Sequence, residues 1–193
     1  MLGAIAQDLK HGTVSSDSAR EEDIYAIYSL MLSNPQTSHG PDDNSRYLIE
    51  EKTGRAIPLE PCVEPPKERE TEFREVLRDF ENRKETPRQL RRSLSIGKPY
   101  VLLTPDDFKE FAQARSQNRI EKEVFSGVKD IFRLSDVYFN QKRTLALTAI
   151  STWCGSLCGQ WQWKVFEKLP NGKWQERPWV SCFTIAQSSG SEH

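Results

Sequence analysis

Cys154-Gly155-Ser156-Leu157-Cys158-Gly159 is the one stretch of this chain whose residue types and spacing suggest chemistry. Two sulfurs held four positions apart can close a disulfide if the backbone turns between them. They could also exchange thiols with another disulfide. Three residues separate them, however, where the familiar redox pair has two, and no helix start follows to stabilise a thiolate. A third use is half of a metal site. His11, His39 and His193 lie far off in sequence, so Cys62 and Cys182 would have to complete four thiolates. The glycines favour the first use, a hairpin clamp formed by Cys154 and Cys158, because they let the chain reverse tightly. No catalytic residue, cofactor or resident metal is read from the sequence.

All five tryptophans share this region. Strand alternation puts Trp161, Trp163 and Val165 on one face, with Gln162, Lys164 and Phe166 on the other. Trp161, Trp163, Trp174 and Trp179 are therefore the candidate interaction surface for a protein, a peptide or a glycan. The competing reading is plain core packing beneath helices. Asp136, Glu167 and Glu176 could approach one another across the same strands as a carboxylate set. With no nucleotide loop, serine elbow or paired-histidine zinc motif beside them, an uncharacterised hydrolase or thiol-disulfide redox enzyme is the alternative reading. Asp136 reads as a polar strand residue, and Glu167 and Glu176 as solvent-facing.

The elements that must position these residues fall into two halves. Ser18 and Glu21 have capping-box spacing ahead of Ile24, Ile27, Tyr28 and Met31, which share a helical face; Pro35 ends that helix. Tyr47-Leu48-Ile49 and Ala56-Ile57 read as two short strands about Thr53-Gly54. A second helix is predicted over residues 68–83, with Phe73, Val76, Leu77 and Phe80 inward and Glu70/Arg74 and Asp79/Arg83 as solvent-side ion pairs. Tyr100–Leu103 is extended, and Thr104-Pro105-Asp106-Asp107 then opens a third helix through a capping side chain, an N1 proline and two acids. From about residue 131 the pattern turns to strands, over 131–139, 145–153, 161–168 and 174–185. Short connections, among them Asn171-Gly172, join them and predict an antiparallel meander. The fold class is therefore α+β, with N-terminal helices packed against a C-terminal, mainly antiparallel β-meander. Residues 1–17 read as a poorly ordered segment, and 18–190 as a single α+β domain.

Composition narrows the partners. The chain has 193 residues, with 27 basic and 28 acidic side chains and a formal net charge of -1. No field of one sign draws in nucleic acid, and the basic cluster between Arg83 and Arg92 is intermingled with acids. No run of apolar residues is long enough for a transmembrane helix. Four cysteines, an even count, are compatible with an oxidising compartment.

The cysteine-glycine hexapeptide resembles an uncharacterised family of bacterial, often exported proteins with a C-terminal CGxLCG-type hairpin. Leu134-Ser135-Asp136-Val137-Tyr138-Phe139-Asn140, Leu145-Ala146-Leu147, and Phe166-Glu167-Lys168 followed by Asn171-Gly172-Lys173-Trp174 extend the resemblance over about the last 70 residues of this chain. Asp136 and Tyr138 stand where many relatives carry basic and glycine-like residues. The resemblance implies a periplasmic or secreted setting, with the signal segment outside this chain and a cytoplasmic setting as the alternative. It transfers no activity. The expectation is a non-enzymatic binding or structural domain of the bacterial cell envelope.

Overall fold

The structure is a computed structural model that describes residues 16–33, 46–54, 62–117, 122–128, 130–155, 158–180 and 184–187. Its elements run α1 (Ser16–Ser33), β1 (Tyr47–Glu50), α2 (Glu70–Arg83), β2 (Tyr100–Leu103), α3 (Pro105–Ser116), β3 (Ile131–Leu134), β4 (Tyr138–Phe139), β5 (Leu145–Gly155), β6 (Cys158–Lys168), β7 (Trp174–Arg177) and β8 (Thr184–Gln187). The eight strands form one sheet in the order β2-β1-β3-β5-β6-β7, with β4 beside β5 and β8 beside β6. Helices come early and most strands late, so the class is α+β.

Period-two alternation divides the sheet between two helical layers. On one face Tyr47, Ile49, Phe132, Leu134, Ala146, Ile150 and Phe166 meet Ile24, Tyr28, Met31 and Leu32 of α1. On the other, Leu145, Leu147, Ala149, Trp163 and Val165 receive Phe73, Val76 and Phe80 of α2. Farther along that face Leu48 and Ile131 pack under Phe111 of α3. The single helical face predicted for each segment is the face that is buried. What periodicity does not reveal is that α1 sits opposite α2 and α3.

Two expectations change. The sheet is mixed, because β1 runs parallel to both β2 and β3. The connections from β1 to β2 and from β2 to β3 carry α2 and α3, and such crossovers return the chain in the same direction. The remaining pairings, β3–β5, β4–β5, β5–β6, β6–β7 and β6–β8, are all antiparallel. Ala56-Ile57, expected to pair with Tyr47–Ile49, lie outside the described residues, and β1 takes β2 and β3 as its neighbours instead. The helix expected from Ser18 begins at Ser16; residues 1–15, most of the segment read as poorly ordered, lie outside the described residues.

Both long strands predicted near the C-terminal end are interrupted. Ser135, Asp136 and Val137 separate β3 from β4, and the ladder from β7 stops at Arg177, before Pro178, which cannot donate to it. Past that break Val180 pairs with Val63, and the Glu64 amide donates to the Trp179 carbonyl at 2.8 Å. The proline-rich segment is thereby stitched to the sheet edge. Two predicted local signals appear as read. Thr104 and Asp107 form a reciprocal capping box with Pro105 at the helix start, and Gly172 turns with a φ of +81°.

Candidate functional site

Cys154 sits at the end of β5, and the β5–β6 register brings Gly155 opposite Cys158 across an irregularity that follows Trp153. Gly159 is close-packed here, since a Cβ in its place would meet the Thr152 carbonyl oxygen at 3.2 Å. Cys62 and Cys154 are both disulfide-bonded, and no described cysteine is a free thiol. The side chain of Cys158 and all of Cys182 lie outside the described residues. Among those described, no group of His, Cys, Asp and Glu is arranged to hold a metal ion.

The tryptophan surface is not formed as expected. Trp163 is fully buried beneath α2, edge-on to Phe80 with centroids 5.4 Å apart. Trp174 is buried on the α1 face, where its Nε1–H donates to Asp23 Oδ1 at 2.9 Å. Lys168 Nζ completes that anchor, 2.6 Å from the same oxygen. Large rings beneath helices contribute more by leaving water than by lining a surface, so these two belong to the core. Trp161 and Trp179 remain half-buried on the α2 side, packed with Val63, Leu77 and Val180.

The carboxylate set is dispersed as well. Glu176 faces the α1 side and takes Lys164 Nζ at 2.6 Å. Glu167 faces the α2 side and is held by Arg177 at 2.7 Å and Arg69 at 3.2 Å. Asp136 is neither a strand residue nor solvent-facing. It is 4% exposed in the β3–β4 connection and lies between two arginines. The backbone leaves the strand at Ser135 so that this carboxylate can turn inward.

That inward turn builds a cluster that residue spacing alone does not reveal. Arg83 Nη2 donates to Asp136 Oδ2, while Arg88 Nε and the Val137 amide reach Oδ1 at 3.0 and 2.8 Å. Asp79 Oδ2 accepts from Arg20 at 3.0 Å, from Arg83 at 3.0 Å and from the Phe139 amide at 2.9 Å. The Arg20 guanidinium also lies 4.8 Å from the Phe139 ring centroid. Tyr28 donates to the Ser135 carbonyl at 2.7 Å, and Ser135 Oγ accepts from the Ala149 amide at 2.7 Å. Spacing identifies Asp79/Arg83 as a pair on one helix; the third partner, Asp136, comes from the β3–β4 connection.

The environment shifts several protons. Burial raises the Asp79 pKa above its ordinary value, against the Phe139 amide bond that lowers it, and the Asp136 charge raises it further. Burial pulls Arg88 down, but the Asp136 charge and hydrogen bond outweigh it and raise the pKa. Tyr28 and Tyr138 are raised by burial first and by Asp136 second. The raised values keep Tyr28, Tyr138 and Arg88 protonated through neutral pH, whereas the shift at Asp79 moves its carboxyl toward the protonated form. With its acids tied to arginines, the cluster is a brace across α1, α2 and the sheet rather than acid-base machinery.

No family model matches the chain, and neither a search of curated proteins nor one of solved structures returns a match.

Proposed function

We propose that this protein is a non-enzymatic binding domain of the bacterial cell envelope, belonging with exported proteins that carry the cysteine-glycine hairpin. The observation that carries the reading is the oxidised state of both Cys62 and Cys154. Stable disulfides belong to oxidising compartments. The chain has four cysteines, and the β5–β6 register favours Cys154 with Cys158. The Cys154–Cys158 link closes the hairpin, and the Val63–Val180 bridge beside Cys62 ties the proline-rich segment to the sheet edge.

The contact surface narrows to Trp161 and Trp179, the half-buried aromatic pair beside the broken edge, and its partner is a protein or peptide. Thiol trapping in the source cells, followed by peptide mapping without reductant, tests the compartment and the pairing together. The expected result is no alkylation before reduction and four labelled cysteines after it. Free thiols in protein taken directly from cells would overturn the export reading. Co-sedimentation with the envelope fraction tests the surface: the protein is expected in the pellet, and Trp161→Ala with Trp179→Ala is expected to release it while the circular dichroism spectrum stays native, the lost packing lowering only the melting temperature. Equal pelleting of the double variant removes these residues from the interface.

A further inference from the structure

A groove of about 510 Å³ lies between the first turns of α1, the outer side of α2 and the β4–β5 turn. Apart from Phe139 its lining residues are polar or charged and balanced in sign, with Arg20, Arg78 and Arg143 set against Asp17, Glu75 and Asp79, and their aliphatic stems supply apolar surface. We propose that this groove binds an uncharged polyhydroxylated ligand, a short oligosaccharide.

Three observations carry the assignment. The floor is rigid before any ligand arrives. One oxygen of Asp79 is committed to Arg20, Arg83 and the Phe139 amide, and Glu75 holds the Gln141 amide at 3.0 Å. Asn140 closes the turn by accepting from the Thr144 and Leu145 amides at 2.8 and 3.0 Å. Preorganised polar groups lose little freedom on binding, which is the main cost for a weakly held sugar.

The uncommitted groups are mixed in kind. Among the described residues, the Arg78 guanidinium and the Asn82 and Gln141 side-chain amides have no partner, whereas the second oxygens of Glu75 and Asp79 remain as acceptors. Donors and acceptors of both signs thus share one wall. An anion would meet Glu75, Asp79 and Asp17, and a cation would meet the arginines. A hydroxyl donates and accepts at once, so it satisfies both sets without burying an unmatched charge.

Arg143 supplies the third observation. Its φ is 52°, the only positive value at a described residue other than glycine. A side chain there costs about 1–2 kcal/mol that glycine would not. Arg143 thus stands on the groove wall in a backbone conformation that glycine would adopt more easily.

The test uses the full chain and three uncharged probes, maltotetraose, cellotetraose and chitotetraose, with citrate and spermidine as charged counterparts. Binding is followed by amide chemical shifts and by calorimetry. At least one oligosaccharide is expected to shift the amides of the α2 groove side and of the 140–144 turn, without dependence on salt. Arg78→Ala and Asn82→Ala, which remove exposed side chains, are each expected to weaken it about tenfold, the loss of one hydrogen bond involving a charged or well-placed polar group. Arg143→Gly, which removes the third arginine from the groove wall, should also weaken binding. Salt-sensitive binding of citrate or spermidine with no response to the sugars would overturn the assignment, as would sugar binding unaltered by all three substitutions. Trp161 and Trp179 lie outside this groove, so their failure as a partner surface would leave it untouched.

Discussion

Replacing Asp136 with alanine removes the acid on which the brace converges. Its carboxylate is 5% exposed and receives Arg83 and Arg88, together with the Val137 amide. Removing one partner of a buried ion pair costs about 3–5 kcal/mol, mostly because the remaining charge stays buried without compensation. Here the arginine side chains retain about a quarter of their exposure, 26% for Arg83 and 24% for Arg88. Each also keeps a second acid, Asp79 at 3.0 Å for Arg83 and Glu21 at 3.7 Å for Arg88. Partial solvation and these alternatives place the expected loss near the lower end, about 3 kcal/mol. Asp136→Asn keeps an oxygen for the Val137 amide but removes the charge, and should lose roughly half as much. Urea unfolding at neutral pH measures both, with a lower midpoint and an unchanged m-value. Arg88→Ala in combination with Asp136→Ala should cost less than the sum of the two single changes, because each destroys the same contact. A loss below about 1 kcal/mol for Asp136→Ala, the size of an ordinary surface or single hydrogen-bond effect, would refute the assignment of this cluster as the brace between layers.

Two further outcomes follow from proton positions. The Tyr28 pKa stands well above the ordinary 10.0; above that pH the unfolded chain releases a proton that the fold retains, so stability is present below it and is lost as pH rises. Tyr28→Phe should make the alkaline loss shallower by about 1.4 kcal/mol per pH unit, at the cost of about 1 kcal/mol at neutral pH for the bond to Ser135; an unchanged alkaline slope would count against it. At the start of α3, the Thr104 hydroxyl and backbone amide lower the Asp107 pKa, a contribution present above the ordinary carboxylate value and lost as pH falls through the lowered one. Thr104→Ala should raise the Asp107 pKa in an NMR titration and cost about 1 kcal/mol, with Thr104→Ser restoring both; an unmoved titration would show that the cap is not closed in solution.

Local interactions were legible in the chain because they are encoded within a few residues of one another. The inward stripes of α1 and α2, the Thr104 cap and the Asn171-Gly172 turn need only helical periodicity, one side chain reaching a neighbouring amide, or one positive φ. The α+β class followed from the order of those signals. Asp136 shows where such reasoning stops: alternation made it a polar strand residue, because nothing nearby in sequence announces two arginines arriving from 53 and 48 positions away. The tryptophans failed for a related reason, since alternation assigns faces but not what covers them; α2 covers Trp163 and α1 covers Trp174. The same holds for the parallel pairing of β1, which depends on where α2 and α3 return the chain. The groove assembles α1, α2 and a turn that are separated along the chain, so no motif marks it. Short-range chemistry was determined by the sequence itself; the partners of charges, the cover over rings and the walls of the groove were decided only by tertiary packing, because each depends on segments that meet solely when the whole sheet is formed.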